Sequence, residues 1–237
     1  MNRRILMSAL ALAAIATPLA ARAAEPIQPR VVVTGEGESS VKPDIAVLTL
    51  SVIQEAATAR EAMTANNTAM AAVIAGMKSS GIADKDLQTA GIQINPRYTY
   101  SNKPDGSQEA TLVGYQVTNT LTIRVRDLAK TGEVIDSAVS NGVNQGGMVV
   151  FTNDDPSAVI TEARKKAVAD ALAKAKTLTE AAGVTLGRII EMSENSYSQP
   201  PMPIAAKAYE RDSAGAAPVE AGENSYRVQV NVTFELK

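Results

Sequence analysis

The sequence predicts an α+β protein, with antiparallel sheets and helices packed on one face. Three observations carry that reading. Residues 226–236 alternate without an error, with Tyr226, Val228, Val230, Val232, Phe234 and Leu236 on one side and Arg227, Gln229, Asn231, Thr233 and Glu235 on the other. A period of two marks a half-buried antiparallel strand. Residues 115–125 repeat it, with Tyr115, Val117, Leu121, Ile123 and Val125 inward and Asn119 the one polar residue in that row. Between such strands lie segments of helical period, which cover one sheet face and leave the other wet.

Taken in order, strands are expected at residues 30–34, 45–54, 91–94 with 97–100, 115–125, 147–152, 188–193 and 226–236. A first helix over 56–80 carries Ala59, Met63, Asn66, Met70, Val73 and Met77 at alternating spacings of three and four, and Gly81 closes it. A shorter helix over 128–140 ends at Asn141-Gly142. The longest runs over 156–182, with Asp155 as its N-cap, Pro156 at its first helical position and Gly183 just past its end. Its stripe is Ile160, Ala163, Ala167, Ala171, Ala175, Leu178 and Ala182. Alanine there lets the helix axis lie close to a neighbour; a coiled-coil seam would want larger knobs. Three helices among the strands argue against a transmembrane barrel. Pro104-Asp105-Gly106 sets a hairpin tip within 101–109, and the Pro-, Ala- and Gly-rich residues 196–223 are expected to be mobile.

Residues 1–23 have the form of a cleaved secretory signal peptide: Arg3 and Arg4, an apolar run over 5–16, Pro18, then Ala21-Arg22-Ala23. The run is shorter than the ~20 residues that span a bilayer. No Cys follows to anchor a lipid, and Arg3-Arg4 alone does not separate twin-arginine from general export. The expected mature chain, residues 24–237, forms one domain with no transmembrane segment. The whole chain has 23 Lys+Arg and 25 Asp+Glu. Removing residues 1–23 takes away three arginines and no acids, leaving 20 against 25, net −5. That balance is wrong for a nucleic-acid binder.

The chain contains no Cys, His or Trp. Thiolate nucleophiles, imidazole bases, disulfides and zinc sites are thereby excluded. Catalysis would have to use carboxylates, Lys, Ser, Thr or Tyr. Asp154-Asp155 reads as helix capping before it reads as an acid/base or metal site. Arg164-Lys165-Lys166 reads as a solvated helix face, with an anion or acidic-partner site as its competitor. Gly35-Glu36-Gly37 lacks the Lys and the helix of a phosphate loop and reads as a turn or bulge between strands. Gln199-Pro200-Pro201-Met202-Pro203 reads as a linker rather than a polyproline ligand or soft-metal contact. No catalytic residue, cofactor or metal ligand is assigned.

One feature stands apart. The outward rows Gln116, Thr118, Thr120, Thr122 and Gln229, Asn231, Thr233 are polar yet nearly uncharged, whereas a solvent face usually carries more Lys and Glu. They are the candidate oligomer interface or lining of a water-filled passage. A plain Thr-rich β surface is the competing reading.

Several segments together resemble the SIMPL-domain family. They are Val33-Thr34-Gly35-Glu36-Gly37, Val41-Lys42-Pro43-Asp44-Ile45-Ala46, Gly114-Tyr115 leading to Val125-Arg126-Asp127-Leu128, the alanine-spaced helix followed by Gly183-Val184-Thr185-Leu186-Gly187, and the final strand. The likeness spans nearly the whole expected mature chain. It implies an exported periplasmic α+β protein with no established enzymatic activity, whose relatives are linked to envelope and oxidative-stress tolerance. For the most similar group, outer-membrane-associated antigens of Gram-negative bacteria, it implies ring- or channel-like homo-oligomers. An envelope protein is a further partner to expect. The family supplies no catalytic residues to carry over, and Gly35-Glu36-Gly37 and Pro43-Asp44 look structural in it.

The leading expectation is thus a non-enzymatic periplasmic assembly protein. The alternative is a ligand-binding protein or hydrolase using carboxylate, Ser or Tyr chemistry, with Tyr98, Tyr100, Asp154 and Glu191 as unremarkably spaced candidates. Sacrificial oxidation of the eight methionines is a third idea, weakened because Met1 and Met7 lie in the leader and Met63, Met70 and Met77 in a core stripe.

Overall fold

A computed structural model describes residues 28–104, 106–195, 202–204 and 220–237. The expected signal peptide and most of residues 196–223 lie outside them. Two four-stranded antiparallel sheets make the frame. In the first, β1 (Arg30–Val41) and β6 (Leu186–Asn195) flank the last strand β8 (Glu223–Leu236), and β7 (Met202–Ile204) also pairs with β8. The second has the order β3 (Leu87–Asn102), β4 (Gln108–Val125), β2 (Ile45–Ala56), β5 (Val149–Thr152). Strand β7 falls where the sequence suggests a linker. The 91–94 and 97–100 strands are one strand, interrupted by register shifts rather than by a loop.

The second sheet packs under α1 (Ala59–Ser79) and α2 (Thr131–Ser140). Thr58 and Glu61 form a reciprocal capping box that satisfies free N–H groups at the start of α1. The stripe then buries Asn66, Met70, Val73 and Met77 against Leu48, Leu50 and Leu121, each large apolar side chain contributing ~1.5–3 kcal/mol. Asn66 is fully buried, and its amide donates to the carbonyls of Val52 at 2.8 Å and Val117 at 3.1 Å, tying helix to sheet.

The first sheet packs under α3 (Ser157–Ala182). Here three expectations are corrected. Gly35-Glu36-Gly37 is neither turn nor bulge; it lies inside β1, in unbroken register with Val230, Gln229 and Val228. Its glycines exist for close approach, since a Cβ on Gly35 would lie 2.0 Å from the Ala167 carbonyl oxygen and one on Gly37 2.0 Å from that of Ala163. The buried stripe is Ala163, Ala167, Ala171, Ala175 and Thr179, a strict four-residue repeat, so Leu178 and Ala182 point away. Asp155 sits one residue before the cap: Pro156 is the N-cap, and the Asp155 carboxylate accepts from the Ser157 N–H at 2.9 Å. Gly183 takes the left-handed conformation, φ 69°, that ends the helix.

The basic run of α3 is also more than a wet face. Lys165 pairs with Glu162 in the same helix, but Arg164 reaches Glu194 on β6 at 2.8 Å. On the opposite flank, Lys166 donates to the Glu38 carbonyl (2.7 Å), Asp170 accepts from the Glu36 N–H (2.9 Å), and Lys174 donates to the Thr34 carbonyl (3.0 Å). Three side chains at four-residue spacing thereby close the outer edge of β1.

Candidate functional site

The first candidate row lies on the outer face of the second sheet. Gln116, Thr118, Thr120 and Thr122 stand opposite Glu55, Ile53, Ser51 and Thr49 of β2, and opposite Asn95, Gln93, Ala90 and Gln88 of β3. All four are half-buried. The Ser51 and Thr120 hydroxyls are hydrogen-bonded at 2.8 Å. The helices lie elsewhere, α1 and α2 on the opposite face and α3 on the other sheet. Ion pairs close this uncharged band at both ends. Glu55 takes Arg97 and the Gln116 amide at one end, while Asp154 takes Arg124 (3.2 Å) and Arg126 (2.7 Å) at the other.

The second row lies on the first sheet, so the structure does not bring the two rows together. Gln229, Asn231 and Thr233 face Glu36, Thr34 and Val32 of β1. The Thr34 hydroxyl donates to Asn231 at 2.8 Å, and Thr233 is buried. This surface is charged by its neighbours: Glu38 pairs with Arg227 at 2.9 Å and Glu235 with Arg188 at 3.5 Å. The uncharged character expected of both rows therefore extends over an area only around β4. Composition reads one strand at a time; the charge arrives from the strands beside it.

The sheets meet at a polar junction. The Asn153 side-chain oxygen accepts from Asn224 and from the Tyr226 hydroxyl, both at 3.0 Å, and its amide donates to the Lys42 carbonyl at 2.8 Å. Asp44 accepts from the Asp154 N–H at 2.8 Å. Lys42-Pro43-Asp44 thus turns the chain from one sheet into the other.

Reasoning from sequence missed the most buried charge. Asp86, 5% exposed, is held by both forks of Arg126 at 2.9 Å. These hydrogen bonds keep its carboxyl below the usual range, and Arg126 is pushed up in turn. The pair borders a cavity of about 250 Å³ with Ile82, Val125 and Val134 at its floor and Lys85, Asp127 and Lys130 around it. Other resolved shifts run the same way. The Ser225 hydroxyl and Arg227 hold Glu38 down, the Ser157 N–H holds Asp155 down, and burial raises Tyr226. Each moves its group away from neutrality, the reverse of tuning for acid–base work. Of the alternative candidates, Tyr98 and Tyr100 lie on β3, Glu191 on β6 and Asp154 in the arginine cluster; they do not converge. Among the described residues no group of three acids is placed to hold a metal ion, and no helix is long and apolar enough to cross a membrane.

Residues 31–234 match the model of the SIMPL family, described as a protein of unknown function (DUF541). This chain belongs to the SIMPL family. The SIMPL chain is 55% identical over 212 residues to the 26 kDa periplasmic immunogenic protein of Brucella melitensis, covering 88% of this chain and 85% of that protein. The protein of the same name from Brucella abortus matches equally. Uncharacterized protein YggE of Escherichia coli K12 is 30% identical over 226 residues, 92% of this chain and 88% of its own length. The family match thus takes in, among the described residues, both sheets and α1, α2 and α3.

Proposed function

We propose that this SIMPL chain is an exported, periplasmic, non-enzymatic protein that self-assembles into a ring- or channel-like homo-oligomer and supports cell-envelope or oxidative-stress tolerance. The name of the Brucella relatives supports the compartment. Outer-membrane association and capture of an envelope partner belong to the same reading. The observation that carries assembly is the uncharged band of half-buried Thr49, Thr118, Thr120 and Thr122 with buried Ser51, over which, among the described residues, no helix lies. Such a band suits contact with another subunit, or a water-filled passage, better than a highly charged solvent face.

Light scattering after size exclusion tests it, on the purified protein at several concentrations. A large species of single mass is expected, and Thr118→Glu with Thr120→Glu reduces that mass by placing charge in the band. An unchanged mass in the double variant removes the band from the interface, and a monomer at every concentration ends the assembly reading. Asn231→Glu reports separately on the first sheet.

The ligand-binding alternative has its foothold in the cavity beside Asp86. Arg126 already satisfies that carboxylate, so the reading favoured here leaves the pair a structural role.

A further inference from the structure

Every open sheet has edges, and an unpaired edge is a template for another strand. This chain treats its edges unequally. The outer edge of β1 is closed by Lys166, Asp170 and Lys174. Where β2 runs beyond β5, its Thr49 N–H goes to the Met148 carbonyl and its Ser51 N–H to that of Gln145. The Asn144 side chain then exchanges two 2.7 Å hydrogen bonds with the Ile53 backbone, as a strand residue would. Strand β5 has only four residues. Two long edges remain, that of β3 with 16 residues on the second sheet and that of β6 with 10 on the first. Among the described residues the backbone of neither outer edge is given a hydrogen-bond partner.

Both open edges are apolar. Ile92, Ile94, Tyr98 and Tyr100 on β3 are 48–66% exposed, and Ile189, Ile190 and Met192 on β6 are 45–46% exposed. Strand β3 and the start of β4 form an arm in which all 25 described residues of 88–113 are exposed. A two-stranded hairpin of this kind is marginal in water by itself.

We infer that the β3 edge of one copy, with its hairpin arm, pairs along the β6 edge of a second copy. This rests on the self-assembly reading above and names its joint. Three features select a second copy as the occupant. The molecule itself offers two unlike open edges, one for each side of such a joint, while it closes β1 and the far part of β2. The arm's run of 25 exposed residues matches the roughly 20–30 residues that a stable interface takes from each side. Its charges also cancel: Arg97 and Lys103 balance Asp105 and Glu109, with Arg97 engaged by Glu55 and Lys103 by Glu109. An arm with no cationic excess has nothing to draw it to anionic lipid or nucleic acid, and it can approach an acidic copy of itself without repulsion. Because the two surfaces differ, the joint is head-to-tail and closes into a ring if the rotation allows.

Mixing complementary variants tests the joint. Tyr98→Lys with Tyr100→Lys spoils the arm; Ile190→Lys with Met192→Lys spoils the β6 edge. All four positions are exposed, and far-UV circular dichroism checks that each variant folds. Each variant alone is expected to run as a monomer. An equimolar mixture retains one sound junction and forms dimers, a twofold rise in mass. If wild type is oligomeric and both variants keep its mass, this joint is wrong while self-assembly stands. If the mixture stays monomeric, the interface is not head-to-tail and the inference falls. A monomeric wild type removes both proposals. Hydrogen exchange on the unmodified protein gives an independent reading: residues 92–100 and 188–193 gain protection together as concentration rises, and a lack of protection in either segment overturns the pairing.

Discussion

The carbonyl oxygen of Ala167 on α3 lies 2.0 Å from the point where Gly35 on β1 would carry a Cβ. Helix and strand are therefore in backbone contact, and the obstacle is main chain that cannot rotate away. Gly35→Ala is expected to lower stability by about 3 kcal/mol, the upper range for overpacking. Urea unfolding checks it, and a midpoint equal to wild type would show that α3 can lift off the sheet at little cost.

Asn66 is a second sensitive point because both its amide hydrogens face carbonyls. Asn66→Asp keeps the size but replaces the donor with a buried anion facing two oxygens. At pH 7 the variant should lose at least ~3 kcal/mol, since a buried carboxylate is costly without a partner. Burial raises such a carboxyl's pKa, so the loss should shrink as the pH falls and the side chain becomes neutral. Thermal melts between pH 7 and 5 measure this; a deficit that does not change with pH contradicts the geometry.

Asp86 behaves in the opposite sense. Its folded carboxyl is held below the ordinary range by Arg126. The stability it contributes is complete above the unfolded pKa, about 4, and is lost as the pH drops through the lower folded value. Asp86→Asn should therefore be less stable than wild type at pH 7 and show a weaker loss of stability as the pH falls below about 4. Parallel curves for the two proteins would show that the pair makes no net contribution.

Removing the Thr58 side chain tests local against tertiary control of α1. Thr58→Ala removes the hydroxyl that accepts from the Glu61 N–H while leaving the backbone N–H of residue 58 to the Glu61 carboxylate, and should cost about 1 kcal/mol. A much larger loss in denaturant titration would mean that Thr58 also anchors the end of β2.

Alternation in β4 and β8 was legible because it is local: each strand shows its own buried side. Asn66 and Asn119 were visible as polar residues within apolar rows, but the carbonyls that Asn66 serves lie 14 and 51 residues away. Gly35-Glu36-Gly37 misleads for a similar reason. Two glycines beside a strand look like a turn, and the alanines that require them, Ala167 and Ala163, lie far along the chain on α3. The four-residue spacing of Lys166, Asp170 and Lys174 was available, yet nothing local says that it faces a strand edge. The candidate rows were legible as compositions, while their separation onto two sheets depends on strand pairing that no single segment contains.

The first and last described strands also share one sheet, with Arg30 beside Glu235, and the elements from Ile45 to Thr152 belong to the other sheet or its helices. The second sheet can close once Thr152 has emerged. The first strand must wait for the last, nearly two hundred residues on, and pairings of such separation form slowly. Until β8 is made, β1 thus has no partner strand, and the C-terminal strand works as a latch: losing it would free β1 while leaving the second sheet's pairing intact.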